Sequence, residues 1–206
     1  MAGETDGRRA RGRLRRELIL RTAVDVIDRR GGGALTHRAV ADSGGISLAS
    51  VTYHFPSARQ LSAATYEWAG LRLLDYMANA ADWASVTVGA FPELAGQVAA
   101  GLALQRRGEL ITVNHMSLAS ADDANLHAMS QQFRGRSAGV FDAFVEPGSS
   151  PILLAAVNGL LVYALSDRTV PQERIAAAVS ALVRKFALPA PPAAGVQSSR
   201  NSPPSG

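Results

Sequence analysis

The sequence predicts an all-α protein of about nine helices, with a three-helix domain at its N-terminus and a larger helical body behind it. Apolar residues recur at helical spacing along most of the chain. No segment of the sequence alternates apolar and polar residues between turn dipeptides, the pattern that is typical of a β-sheet. Hydrophobic residues make up 47% of the 206 residues and charged residues 18%, which favours a folded chain with a sizeable core.

Caps and helix breakers delimit the first four helices. Glycines 31–33 end the first helix, and Thr36 and Ser47 are suitable N-caps for two short helices separated by Gly44-Gly45. Ser57 follows a proline and caps a long fourth helix. The predicted ranges of these helices are 14–30, 37–43, 48–54 and 58–80.

The rest of the chain also has helical periodicity, up to a C-terminal segment rich in proline, serine and glycine. The predicted ranges of the five later helices are 91–105, 109–120, 123–145, 151–165 and 172–187. The sequence thus divides into a flexible basic arm at 1–12, a three-helix domain at 13–57, a helical body at 58–188 and a disordered tail at 189–206.

Positive charge is concentrated in the first third of the chain. The net charge is +4, and residues 1–60 carry 11 arginines against 6 acidic residues. Six of the arginines fall within nine positions, at Arg8, Arg9, Arg11, Arg13, Arg15 and Arg16. Such a run is typical of a phosphate-binding segment, and it is equally typical of a solvated tail.

Several classes of protein lack support in the sequence. There is no cysteine, which excludes disulfides and thiolate zinc sites, and no apolar run reaches the roughly 18 residues that a membrane span needs. The sequence contains no two-histidine zinc motif, di-iron Glu-x-x-His pair, phosphate loop or nucleophile elbow. We therefore expect no cofactor, no metal, no membrane partner and no catalytic residue, and interpret the chain as not an enzyme.

Residues 36–55 have the spacing of a helix-turn-helix motif. Ala41 is small where two crossing helices approach closely, and Gly45, four residues later, supplies the positive φ of a tight turn. Ile46 is expected to anchor the turn in the core, and Leu48, Val51 and Phe55 fall on the inner face of the third helix.

The outer face of the third helix carries small or hydrogen-bonding side chains and no acidic residue. A seven-residue helix is about 10 Å long and fits a major groove about 12 Å wide. Ser50 and Thr52 are placed to read bases, and the arginine arm is placed to enter the neighbouring minor groove. The predicted DNA-binding residues are Thr36, His37, Arg38, Ser47, Ala49, Ser50, Thr52, Tyr53, His54 and Arg59.

Residues 14–75 resemble the DNA-binding domain of the TetR family of bacterial transcriptional regulators. The segments that carry the resemblance are Ile19-Leu20-Arg21-Thr22-Ala23, Leu35-Thr36, Val40-Ala41, Gly45-Ile46-Ser47 and Tyr53-His54-Phe55-Pro56-Ser57 followed by Leu61. The resemblance implies a cytoplasmic, homodimeric regulator that is associated with the nucleoid when bound to DNA. It further implies dimerisation through residues 151–187 and a small-molecule effector site in the larger domain.

Two positions depart from the pattern of that family. Thr52 stands where the family commonly has tyrosine, which puts base recognition there in question. Ala58 stands where the family commonly has a phosphate-binding lysine. Arg59 follows and is a candidate replacement, although it points about 100° further around the helix.

Aromatic, sulfur and imidazole side chains in the larger domain are candidates for the lining of an effector site. These candidates are Trp68, Trp83, His115, Met116, His127 and Phe133. Each is also compatible with an ordinary core or surface position in a helical bundle. Asn158 and Tyr163 are open to either a pocket or an interface role, and the apolar faces of the last two helices suit an intrachain core as well as a dimer.

The sequence thus predicts a sequence-specific DNA-binding regulator, more specifically a repressor released from a pseudo-palindromic operator by a small effector. Two recognition helices would enter successive major grooves roughly 34 Å apart. The alternatives are a non-enzymatic helical protein that binds small molecules and, less favoured, an all-α enzyme. Affinity for duplex DNA distinguishes the first interpretation from the other two.

Overall fold

The computed structural model describes residues 2–189, with the side chains of residues 2–6 and 8 excepted. Within that range the chain forms nine α-helices and one short 3-10 helix, and no β-strand. The helices are α1 (Ala2–Arg30), α2 (His37–Gly44), α3 (Leu48–His54), α4 (Ala58–Ala78), α5 (Phe91–Gln105), α6 (Arg107–Ala119), α7 (Ala124–Gly139), α8 (Ser150–Ser166) and α9 (Gln172–Arg184). The predicted all-α fold is confirmed. The predicted tail lies, from residue 190 onward, outside the described residues.

The beginning of the chain differs from the prediction. Residues 1–12 were expected to be a flexible arm, whereas α1 begins at Ala2 and continues unbroken to Arg30. No proline interrupts this segment, arginine is a good helix former, and extending an existing helix avoids the cost of a new nucleus. The segment lacks apolar periodicity because it extends beyond the part of α1 that packs on the core, where Ile19, Leu20 and Ala23 are buried.

The ends of α7 and α9 were also predicted too far along the chain. The helix expected to reach Val145 ends at Gly139, and the helix expected to reach Ala187 ends at Arg184. Val145 and Ala187 instead pair in an isolated antiparallel bridge. Backbone hydrogen bonds flank this bridge, from Glu146 N to Phe186 O at 3.1 Å and from Leu188 N to Phe144 O at 2.9 Å. The bridge fastens the end of α9 to the segment that precedes α8.

The three N-terminal helices pack around one another, and α4 to α9 form the body. Val40, Val51 and Leu61 are fully buried where α2, α3 and α4 meet α1. In the body, α5 lies directly against α9. The two helices are so close at Gly96 that a Cβ there would overlap the Ala176 carbonyl oxygen. None of the helices described here is both long and apolar enough to cross a membrane.

Candidate nucleic-acid interface and ligand cavity

The turn between α2 and α3 is built by local hydrogen bonds. The Thr36 hydroxyl oxygen caps α2 by accepting from Ala39 N at 3.0 Å. Gly45 has φ 59° and ends α2 in the left-handed conformation that favours glycine. Ile46 N donates to Ala41 O at 3.0 Å, and the Ile46 side chain is buried. These contacts fix the direction in which α3 leaves the turn.

Helix α3 has one buried face and one free face. Val51 is fully buried and Phe55, which follows the helix, is 3% exposed, so this side packs on the core. Leu48 was expected on the same face, but it is the first residue of the helix and is 46% exposed. Tyr53, by contrast, is 83% exposed. The remaining predicted contacts on α3 are exposed or half-buried, at Ala49, Ser50, Thr52 and His54. The structure therefore brings the predicted recognition residues of α3 to an accessible surface.

Three polar side chains of the motif already have partners within the protein. The Ser47 hydroxyl oxygen caps α3 by accepting from Ser50 N at 3.2 Å. The Thr52 hydroxyl donates back to its own helix, with the carbonyls of residues 48 and 49 each at 3.1 Å. His37 Nε2 lies 2.6 Å from the Phe55 carbonyl oxygen, so its ring connects the start of α2 to the end of α3. His37 therefore connects the two helices of the motif, a structural role that the sequence did not predict.

Arg59 points towards the body of the protein. Its Nη2 lies 3.0 Å from Asp123 Oδ1, although the Arg59 side chain remains 71% exposed. Asp123 is the N-cap of α7 and also accepts from Asn125 N and Leu126 N. The hydrogen bond from Arg59 is the main cause that lowers the pKa of Asp123 below 3.8, and the Leu126 amide adds to it. A phosphate contact by Arg59 stays a prediction. It requires the guanidinium either to bind Asp123 and the phosphate together or to break its ion pair with Asp123.

The arginines near the N-terminus divide between two faces of α1. Arg9, Arg13 and Arg16 follow one another at spacings of four and three and so share a face. The Arg16 guanidinium carbon lies 5.2 Å from the centre of the Phe55 ring, which places this face next to the end of α3. Arg11 and Arg15 lie on the opposite side. A helix about 10–12 Å across does not enter a minor groove about 6 Å wide, so the predicted minor-groove insertion does not suit this conformation.

The body contains an apolar cavity of about 90 Å³. This volume is several times the roughly 10–15 Å³ that one water molecule requires. Side chains from each of α4 to α9 line the cavity, among them Leu73, Val113, Leu154 and Val179. Its polar lining consists of Ser137 and Asn158, and none of the charged residues that the structure describes lines it.

Two of the six predicted pocket residues line this cavity. Trp83 and Phe133 do so, and Asn158 does as well. The other four lie outside this cavity, and a role for them in effector binding stays a prediction. Trp68 is half-buried on α4 beside the Arg72 guanidinium, and Met116 is a buried core residue. His115 lies against Gly32 near the N-terminal domain, and His127 is exposed beside Gln131. Residue chemistry alone did not identify the lining because most of the lining is aliphatic.

Helix α8 has two apolar faces. Leu153, Val157 and Leu161 are buried against the rest of the body. On the opposite side, Ile152 and Tyr163 are 63% and 62% exposed. Ala155, Gly159 and Val162 are exposed on this same outer side. The apolar residues of α8 therefore supply both the intrachain core and an apolar outer surface, the two possibilities that the sequence left open.

Comparison with known proteins finds the same fold in solved structures. No family model matches the chain, and no curated protein matches it. A transcriptional regulator from Rhodococcus sp. Rha1 is 19% identical, with a TM-score of 0.72 over 83% of this chain and 95% of that one. A member of the TetR family from Streptomyces coelicolor A3 is 21% identical, with a TM-score of 0.68 over 82% and 97%.

A third similar structure was solved with a ligand. The multidrug binding protein EbrR complexed with ethidium is 22% identical, with a TM-score of 0.64 over 82% of this chain and 98% of that one. The chain is thus a helical protein with a helix-turn-helix near its N-terminus. Its fold is that of the TetR-family transcriptional regulators, as the residues at 14–75 led us to expect.

Proposed function

We propose that the protein is a sequence-specific DNA-binding regulator. The observation that carries this proposal is the free face of α3, where Tyr53 is 83% exposed while Val51 on the opposite face is fully buried. A short helix held out by a rigid turn, with small and hydroxyl side chains outward, matches the dimensions of a major groove. Acting on chromosomal DNA, the protein would work in the cytoplasm, associated with the nucleoid.

The basic face of α1, defined by Arg9, Arg13 and Arg16, supports binding to the DNA backbone. It lies beside the end of α3, because Arg16 stacks on Phe55. Guanidinium groups that follow phosphates increase affinity without reading sequence. Arg38, exposed on α2, is placed to add to the same contact. Recognition of bases is then left to Ser50 and Thr52 on α3.

The outer face of α8 supports a homodimer. We define this surface by Ile152, Ala155, Gly159, Val162 and Tyr163. Two-fold pairing of the surface buries like against like, as an isologous interface requires, and Gly159 permits close approach. Exposed alanines of α9 at positions 177, 178 and 181 extend the surface. Two copies would present two recognition helices to a pseudo-palindromic operator.

The cavity is the proposed effector site, and α4 is the proposed connection to DNA. Leu73 and Met77 on α4 line the cavity, while Ser57 and Gln60 at the start of the same helix form a capping box next to α3. A 21-residue helix is about 31 Å long and transmits a shift at one end to the other. An effector that binds preferentially to the geometry in which the two α3 helices are misplaced would release the operator, and the protein would act as a repressor.

Selection of bound sequences from random duplexes by the full-length protein tests this proposal. We expect two related half-sites about one helical turn apart. Fluorescence anisotropy with the selected duplex then compares Tyr53→Ala and His54→Ala with Leu118→Ala, a matched control on α6 whose side chain is 78% exposed. The two α3 variants should lose at least about tenfold in affinity, which corresponds to about 1.4 kcal/mol. Selection that enriches no sequence, or equal losses in all three variants, would refute the proposal.

A further inference from the structure

An open cleft adjoins the apolar cavity. This outer cleft has a volume of about 460 Å³ and lies between α6, α7 and α8. Four residues line both spaces, namely Val113, Phe133, Leu154 and Asn158. A molecule that fills the cavity therefore has a route past Phe133 and Asn158 into the cleft.

The two spaces differ in chemical character. The cavity is apolar apart from Ser137 and Asn158. The outer cleft combines apolar side chains such as Pro151 and Ala155 with the amide and hydroxyl side chains of Asn114, Ser117 and Gln131. Its charged residue is Arg134, and neither space is lined by an acidic side chain. The charged group that these linings offer to a ligand is therefore the Arg134 guanidinium at the cleft end.

Arg134 is held in place and has donors to spare. Its Nη1 donates to Ser130 Oγ at 2.7 Å. Among the described residues it forms no ion pair. A guanidinium carries five N–H donors, so one planar edge remains for a carboxylate. Nearby, Asn158 Nδ2 donates to Asn114 Oδ1 at 3.1 Å, and this pair forms a polar rim where the cavity meets the cleft.

The cavity also contains a polar atom without a partner. Ser137 is 2% exposed, and its hydroxyl is buried with no hydrogen-bond partner. A buried hydroxyl left unpaired costs free energy, which a ligand atom within the cavity recovers. The unpaired hydroxyl supports the cavity as a ligand site, and it has no part in choosing the head group that the cleft binds.

We propose that the effector is an amphipathic monocarboxylate whose apolar body occupies the cavity and whose carboxylate pairs with Arg134 in the outer cleft. This inference rests on the effector site of the proposed function and specifies its ligand class. A cationic ligand meets a like charge in the cleft, and a neutral one leaves the guanidinium without a counter-ion. The single cation of the cleft, Arg134, has no acidic neighbour in the lining, so it is complementary to a ligand with a single negative charge.

Calorimetric titration of the full-length protein with three probes that share a ten-carbon chain tests the head group. The probes are decanoate, decanol and decyltrimethylammonium. We expect decanoate to bind at least about tenfold more tightly than the other two, the discrimination that one charge-assisted contact supplies. Equal affinity for all three, tighter binding of the cation, or no binding of decanoate would overturn the proposal.

Two arginine variants test the residue. Arg134→Gln should weaken decanoate binding about tenfold and leave decanol unchanged. Arg136→Gln is the matched control, since Arg136 is on the same helix and equally exposed but lines the opposite groove, beside Tyr66 and Glu67. It should change the affinity for decanoate less than twofold. Equal effects of the two variants would show that the carboxylate responds only to overall charge and would overturn the proposal.

Tryptophan fluorescence locates the apolar body without altering the lining of the cavity. Trp83 lines the cavity and Trp68 does not, so a Trp68→Phe variant reports from the cavity alone. A bromine on the last carbon of decanoate should quench Trp83, and absence of quenching in the saturated complex would overturn the proposed pose. DNA affinity is measured separately. Failure to bind DNA refutes the proposed function and leaves the ligand titrations valid. Failure of the ligand titrations refutes the proposed ligand class and leaves DNA binding unaffected.

Discussion

Arg107 Nε lies 3.3 Å from Asp28 Oδ1, and this ion pair joins α6 of the body to α1 of the N-terminal domain. Nη1 of the same guanidinium donates to the Leu165 carbonyl oxygen at 3.0 Å, near the end of α8. One side chain therefore contacts the N-terminal domain and the helix that carries the proposed dimer surface. A cation also suits the C-terminal end of α8, where the helix dipole is negative.

A double-mutant cycle measures what this contact contributes to stability. The side chains of Arg107 and Asp28 are only 25% and 28% exposed, so removing either partner leaves the other poorly solvated. We expect Arg107→Gln and Asp28→Asn each to lower the free energy of unfolding by about 1–2 kcal/mol. The coupling between them should be at least about 0.5 kcal/mol, measured by urea unfolding.

The neighbouring pair of Arg106 and Glu109 is the control for that cycle. Its atoms are 3.7 Å apart and join the N-cap of α6 to the first turn of that helix, three residues further along the chain. A local pair of this kind contributes about 0.3–0.5 kcal/mol and joins no domains. A coupling for Arg107 and Asp28 no larger than that of the control would contradict the role assigned to them.

The two faces of α1 are expected to differ in their effect on DNA binding. Arg9→Ala combined with Arg13→Ala removes two charges from the face beside α3. The slope of log affinity against log salt should become shallower by up to about two, because each phosphate contact contributes about 0.9. Anisotropy titrations from 50 to 300 mM salt, on the order of physiological ionic strength, give the slope.

Arg11→Ala combined with Arg15→Ala is the matched variant, since it removes the same charge from the opposite face. It should change the slope by less than half as much. Equal changes in both double variants would mean that α1 acts through its total charge, and that the orientation indicated by Arg16 and Phe55 has no bearing on DNA contact.

Asp123 is expected to restrain Arg59. With Asp123→Asn the guanidinium loses its charged partner and becomes available to a phosphate. DNA affinity should rise severalfold and the salt slope should steepen by about one. Asp122→Asn is the control, because it removes the same charge at the next residue without an ion pair to release. An effect of equal size in both variants would contradict a specific role for Arg59.

The same pair gives a pH dependence of definite sign. The hydrogen bond from Arg59, followed by the Leu126 amide, lowers the pKa of Asp123 below 3.8. Because the pKa is lowered in the folded state, the stabilisation is complete above pH 3.8 and is lost as the pH falls through the folded value. Acid unfolding of Asp123→Asn should therefore be less steep below that pH than that of the unaltered protein. Identical acid profiles would contradict this assignment.

Local signals explain which parts of the fold the sequence predicts well. The bounds of α3 follow from Ser47 and Pro56, both of which act within a few residues, and the observed range of Leu48–His54 agrees with the prediction. Beyond the end of α7, Val145 pairs instead with Ala187, which is distant in sequence. Helical periodicity contains no information about such a partner.

The functional surfaces show the same division. The outward face of α3 follows from helical spacing, because Val51 and Phe55 define the inner face. The cavity lining does not, since it collects aliphatic side chains from six helices whose packing is set by contacts such as that of Gly96 with Ala176. The partner of Arg59 could not be predicted from the sequence either, because Asp123 is 64 residues away along the chain.

The surface of α8 is expected to hold two copies together. Tyr163 is 62% exposed within an otherwise apolar stripe, and Tyr163→Glu places a charge where the pairing of two copies would exclude water. Burying an unpaired carboxylate is costly, so we expect the dimer to dissociate. Sedimentation velocity should show the mass of one chain, and operator affinity should fall as well, because two half-sites no longer bind as one unit. Leu118→Glu is the matched control, since Leu118 is 78% exposed on α6 and is not part of the surface defined on α8. It introduces the same charge at an exposed apolar side chain and should leave the dimer intact. A Tyr163→Glu protein that remains dimeric, or a Leu118→Glu protein that dissociates, would place the interface on another face of the body.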